Sequence, residues 1–294
     1  MVSTGAFIGI IVTLVITLLG PIIAAIVYSV KNKGKGVWKA WLLGAAGFFV
    51  LQVLIRVPVL NVLGTFPWFQ SFAEKHYIVY CLILAMTAAL FEVVARFAVA
   101  KILQKNMNYQ QGVAAGLGHG GIEAILLIGM TYVNNLLYAV MINSGAFDAT
   151  VAQTGALPVP NTAELVEQLN QIKTALIETP SYAFYLAGYE RILCVLFHTA
   201  MSLLVCYMVY KKKALMGVGI AFAAHFAVDF VSPVLNGLAT PYLGNVISQG
   251  TAYVFVYGIL TAVAVGAVVI IGKIRKLYAT EPVLLIESLD KKRQ

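Results

Sequence analysis

Four stretches of the chain carry ionisable side chains at helical spacing inside otherwise apolar sequence: Glu92 with Arg96, His119 with Glu123, Glu190 with His198, and His225 with Asp229. Residues four or eight apart lie on one face of a helix. In a bilayer such a charge costs at least ~2.5 kcal/mol on insertion scales. An acid and a base one turn apart can be a structural ion pair locking two helices, and a lone membrane histidine is more often a satisfied hydrogen bonder. Here, however, three of the 4 histidines fall in the set, each near a carboxylate; the fourth, His76, is in a loop.

The chemistry that suits these side chains is hydrolysis. A glutamate in a low-dielectric site can act as general base on water. Neutral imidazoles can bind zinc or donate to a developing oxyanion. Glu123 and Asp229 could orient the rings as partner carboxylates, and Arg96 would neutralise buried carboxylate charge. The chain has no serine nucleophile elbow, no HExxH pair and no phosphate-cradling glycine loop. Ser202, one turn from His198, is a weak signal.

Such residues need helices to position them, and the composition supplies the setting. Of 294 residues, 61% are hydrophobic and 11% charged, whereas a soluble domain carries about a quarter charged residues. The mean hydropathy of +0.88 agrees: this is a polytopic membrane protein. Its net charge of +8 does not point to nucleic acid. Most Lys and Arg fall in Lys31 to Lys39, Lys101 and Lys105, Lys211 to Lys213, and the tail from Lys273 to Arg293. Basic residues in alternate loops are the positive-inside pattern. Cys81, Cys194 and Cys206 all sit in apolar spans without a CxxC pair and read as small buried hydrophobes. The start has no basic residue and an apolar run too long for a cleavable signal core.

Seven spans follow, at about 6–30, 37–63, 77–103, 111–141, 182–210, 214–238 and 252–271. The expected architecture is an all-α bundle forming a single transmembrane domain over 1–276, with a cytoplasmic basic tail over 277–294. The lysine clusters predict an outer N-terminus and a cytoplasmic C-terminus in a plasma membrane of bacterial type. Gly20-Pro21 should kink span one. Arg56, near the outer end of span two, is expected to snorkel to the interface. Gly112, Gly116 and Gly120 form a small-residue stripe whose ordinary meaning is close helix packing. In the outer loop, 143–180, residues 161–178 read as an amphipathic surface helix with a capping-box start at Asn161 and Glu164.

Counting ~1.5 Å per residue from the basic ends, Glu92, Arg96, His119, Glu123, His198, His225 and Asp229 lie about 10 to 22 Å deep. Their levels agree within about two helical turns although the spans alternate in direction. Spans one and seven have no such group, so a polar site is expected among spans three to six.

The ordered set Glu92-xxx-Arg96, Gly118-His119-Gly120-Gly121-Ile122-Glu123, Phe197-His198 and His225-xxx-Asp229 resembles the YhfC family of intramembrane proteases. That family is grouped with the CAAX-processing, bacteriocin-immunity and PrsW-type membrane proteases. The resemblance covers most of the chain in span order. It implies that Glu92 is the water-activating glutamate and that His119, His198 and His225 are the family histidines. Asp229 takes the place of a small polar residue in CAAX-type enzymes. One departure is plain: the first motif of CAAX-type enzymes has paired glutamates, and Phe91 stands at the first position here. Glu123 or Glu190 would have to supply the second carboxylate.

The reading is an intramembrane protease cleaving a membrane-protein or lipidated peptide substrate in or near the bilayer. Glu92, Arg96, Glu123 and Asp229 form its catalytic group, and His119, His198 and His225 bind zinc or, without metal, stabilise the oxyanion. A transporter or ion-binding protein, or a catalytically silent immunity-type binding protein, is the alternative. Internal repeats or paired broken helices, which a transporter would favour, are not evident.

Overall fold

The computed structural model describes residues 1–157 and 161–290. Of the outer loop and the basic tail, 158–160 and 291–294 lie outside the described residues. Every regular element among the described residues is a helix. Seven are long and apolar enough to cross a membrane: Thr4–Lys31, Val37–Gly64, Tyr77–Leu103, Tyr109–Ser144, Ser181–Tyr210, Ala214–Gly237 and Gln249–Thr280. These are spans one to seven.

Three spans contain a wide π turn, over Val15–Leu19, Phe49–Arg56 and Ala124–Gly129. The first two immediately precede Pro21 and Pro58 in sequence. Proline has no N–H to return to the preceding turn, so the ladder loosens there. The expected distortion at Gly20-Pro21 is therefore a π turn ending at Leu19.

The backbone falls into two compact units: Met1–Ile22 with Ala124–Ile192, and Ile23–Glu123 with Leu193–Gln294. In the first unit, Ile10, Phe147, Leu176 and Phe184 are buried in one apolar cluster. Leu169 and Ile172 pack against it. The outer-loop helix, Thr162–Glu178, thus lays its apolar stripe on its own unit's core. Its start corrects the sequence expectation. Asn161 has φ 66° and makes no side-chain cap hydrogen bond, so no capping box forms. A left-handed residue cannot present its amide oxygen to the first turn as an extended N-cap does.

In the second unit the glycine stripe of span four faces span five. A Cβ on Gly116 would strike the Thr199 Cα, and one on Gly112 would come within 2.6 Å of Leu203 Cδ1. On the opposite side, a Cβ on Gly118 would collide with the Trp41 carbonyl of span two. With both neighbours at backbone distance, His119 and Glu123 sit where three spans meet.

Candidate functional site

All seven ionisable residues expected in spans three to six, Glu190 apart, belong to the second unit, and the structure brings them around the Glu92 carboxylate. Glu92, Arg96, His119, His198 and His225 are each at most 5% exposed, and Glu123 is 8% exposed. In a low-dielectric interior, polar groups this deep must satisfy one another.

Glu92 Oε2 accepts from Arg96 Nη2 at 2.9 Å and contacts His119 Nε2 at 3.0 Å. His198 Nδ1 lies 3.6 Å from the same oxygen. Glu92 Oε1 accepts from Gln52 Nε2 at 3.0 Å and lies 3.4 Å from His225 Nε2. That imidazole nitrogen is also 3.1 Å from Asp229 Oδ2. Arg96 Nη2 reaches His198 Nδ1 at 2.5 Å, and His198 Nε2 is 2.7 Å from Glu123 Oε2.

These contacts fix one tautomer. Guanidinium nitrogens only donate, so His198 Nδ1 accepts from Arg96. Its ring hydrogen is then on Nε2, the nitrogen nearest Glu123 Oε2. The two carboxylates at i+4 therefore play different parts. Asp229 meets its own helix partner, His225, whereas Glu123 serves His198 on span five and not His119. Asp229 is also the most open member, its side chain 32% exposed. Four residues on, Pro233 interrupts span six and has no N–H to offer the Asp229 carbonyl.

Span two joins the site. Gln52, 4% exposed, is held by the Ala88 carbonyl as well as by Glu92. Arg56 does not snorkel: it is half-buried and donates to Gln52 Oε1, Thr87 Oγ1 and the Leu84 carbonyl at 3.3, 3.2 and 2.8 Å. The π turn over Phe49–Arg56 contains both side chains. Three acceptors within reach outweigh the gain from extending toward the interface. Phe48 closes the other side, edge-on to the His119 ring with centroids 5.2 Å apart. The sequence signal for Gln52 was a lone amide four residues before Arg56.

Glu190 belongs to the first unit, where its carboxylate accepts from Arg191. Ser202 is buried in the second unit.

Among the described residues, one group could hold a metal ion. Glu92, His198 and His225 each offer a ligand atom, all within 4.8 Å of one another. His119 contacts the same glutamate but is outside this group.

A model of intramembrane metalloproteases of the YhfC type matches residues 15–248, a range that contains every residue of the cluster. The chain belongs to the YhfC intramembrane metalloprotease family. An uncharacterized membrane protein of Bacillus subtilis (strain 168), YhfC, is 30% identical over 186 residues, covering 63% of this chain and 69% of that protein. No solved structure matches. In this YhfC-family chain, then, the charged centre is built on a glutamate, with histidines contributed by three different spans.

Proposed function

We propose that the protein is an intramembrane peptidase that hydrolyses a peptide bond of a membrane-protein or lipidated substrate, at the Glu92 cluster and inside the plasma membrane. The single observation that carries the reading is Glu92 with His198 and His225 arranged as a three-ligand group in a chain of this family. Two imidazoles and a carboxylate are the protein ligands of many catalytic zinc sites. Bonds of ~2.0–2.1 Å at tetrahedral angles put neighbouring ligand atoms about 3.4 Å apart. The separations Glu92 Oε1–His225 Nε2 and Glu92 Oε2–His198 Nδ1, 3.4 and 3.6 Å, are of that order, one from each carboxylate oxygen. Charge favours it as well. Glu92, Glu123 and Asp229 face Arg96 and, one hydrogen bond further out, Arg56, which leaves negative charge in excess.

The residues fit zinc on these grounds: Glu92, His198 and His225 would hold it, and it would supply a water of pKa ~7 and a Lewis acid. Around it, this chain's residues do the positioning. Glu123 orients His198 from Nε2 while Nδ1 faces Glu92, whereas Asp229 meets His225 at the same Nε2 that faces Glu92. His119 holds Glu92 from the far side. Asp229, the most open carboxylate, is the group that exchanges protons with the substrate's leaving amine.

A second reading is favoured by Arg96. Its guanidinium lies 2.5 Å from His198 Nδ1 and 2.9 Å from Glu92 Oε2, between two of the three ligands. If that cation stays, Glu92 acts as base on water with no metal, and His225 donates to the oxyanion while His198 stays with Arg96 and Glu123.

The test uses the full chain in lipid micelles with a panel of labelled transmembrane peptides. Glu92→Gln keeps the shape and removes the carboxylate, so cleavage should fall by at least ~10²–10⁴-fold while the protein stays folded. Unchanged cleavage by that variant refutes the site. Metal content of the active protein separates the two readings: one zinc, lost in His198→Ala, supports ligation, whereas active metal-free protein supports glutamate acting alone.

A further inference from the structure

The second unit contains another polar cavity, of about 670 Å³, at the lysine-rich ends of its spans. Spans one, four, five and seven contribute Tyr28, Lys31, Tyr109, Tyr210, Arg275 and Tyr278. Two permanent cations and four phenols thus line one space, and among the described residues no carboxylate does. Tyr278 packs against Tyr109, Tyr207 and Tyr210, with ring centroids 6.2, 5.2 and 5.7 Å apart, which braces the wall. The Tyr28 hydroxyl is buried without a hydrogen-bond partner among the described residues. A buried donor left so is costly. The first turn of span four is part of the lining, with Asn108 capping it through the Gln111 N–H at 2.8 Å. Its remaining free N–H groups add positive potential.

We propose that this cavity binds a phosphate-bearing anion. Arg275 and Lys31 supply the charge, the phenol of Tyr28 a directed hydrogen bond, and the start of span four a further donor set. The volume is that of a small-molecule site, far more than one phosphate fills, so the ligand carries its phosphate on a larger polar group. Basic cavities between transmembrane helices at a positively charged face take lipid headgroups; a soluble phosphate ester has the same recognition chemistry.

The experiment uses the full chain in a mild detergent. Native mass spectrometry counts adducts retained from phosphatidylglycerol and from phosphatidylcholine of equal chain length. In parallel, the thermal midpoint is followed as inorganic phosphate is added. Phosphatidylglycerol should be preferred by roughly tenfold or more, and the double variant Lys31→Gln/Arg275→Gln should lose that preference. An added upward shift with inorganic phosphate, absent in the double variant, assigns a soluble ester as the ligand; no such shift assigns the lipid. Tyr28→Phe removes one hydroxyl only and should weaken retention, so it carries the test if the double variant fails to fold. Lys173→Gln, in the other unit, should behave as the parent protein. Equal retention of both lipids with no effect of phosphate overturns the proposal, as does a double variant indistinguishable from the parent.

Discussion

Among the described residues of the first unit the fully buried polar side chains are hydroxyls that lean on the backbone, the Glu190–Arg191 pair being only partly buried: Thr13 Oγ1 and Tyr132 OH both donate to the Phe184 carbonyl, at 2.6 and 3.2 Å. In the second they are charges and imidazoles that answer one another, with a single glutamate contacted by Arg96, Gln52 and three histidines. Neutral hydroxyl-to-carbonyl bonds are local and replaceable. A charged cluster is collective, because removing one member strands the others in low dielectric. The same membrane interior thus holds polar groups kept for packing and polar groups with chemical potential. What distinguishes them is whether the partner is backbone or another titratable side chain.

Arg96→Ala is the hardest blow to that contrast. It strips a donor from Glu92 and from His198 at once, and uncompensated buried charge costs ~3–5 kcal/mol. Unfolding in mixed micelles should show a loss of that order. A loss no greater than that of a hydroxyl deletion in the first unit would erase the distinction. Arg96→Lys, which keeps the charge without the fork, should fall between.

Gln52→Leu comes next. The amide bridges Arg56 and Glu92, so its removal leaves two charged groups each short of one bond; such a bond is worth ~1.5–3 kcal/mol, and both groups keep other partners that offset part of the loss. If Gln52 also positions Glu92, turnover falls while the metal content is unchanged. A stability loss with no kinetic effect would make it a structural strut only.

The glycine approach gives a smaller effect. In Gly118→Ala the new methyl meets the Trp41 carbonyl, which is backbone and cannot swing aside. Overpacking of this kind costs ~1–3 kcal/mol. Because His119 is the next residue, the displacement should also perturb the site, visible as lower turnover. Gly219→Ala, with nothing within 4 Å of its Cβ position, is the control.

The seven spans were legible because an apolar run of bilayer length is a strong signal, and the bounds agree within about three residues, span seven apart. There hydropathy marks the membrane edge near Ile271, while the helix continues through Lys273, Arg275 and Lys276; these residues are charged but good helix formers. The short helices Pro67–Lys75 and Ala146–Gly155 were not foreseen, although Pro67 at a first helical position was a usable sign. Periodicity put the charged residues on faces but could not say which faces meet. So it paired Glu123 with His119, whereas the helix packing hands Glu123 to His198. Gln52 escaped because it is neutral, and the contacts of Arg56 were not foreseen because two of its three acceptors, Thr87 and the Leu84 carbonyl, lie on another span.

The smallest effect is expected at Thr13→Val. The two side chains have nearly the same shape, so the change removes one hydroxyl and little packing. Thr13 is fully buried, which makes the site a clean measure of one hydrogen bond. Its acceptor, the Phe184 carbonyl, keeps the bond from Tyr132, so no backbone group is orphaned. Interhelical bonds of this type in membrane proteins average ~0.6 kcal/mol, and the loss should be of that size. Cleavage should be unchanged, since no member of the Glu92 cluster is touched. Adding Tyr132→Phe would remove the second side-chain donor while the helical N–H of Gly188 still reaches the carbonyl, so the double variant should cost no more than the two single changes together. A larger loss would mean that the two hydroxyls hold the Phe184 turn jointly, and the backbone-leaning bonds of the first unit would then be a collective anchor like the charged cluster.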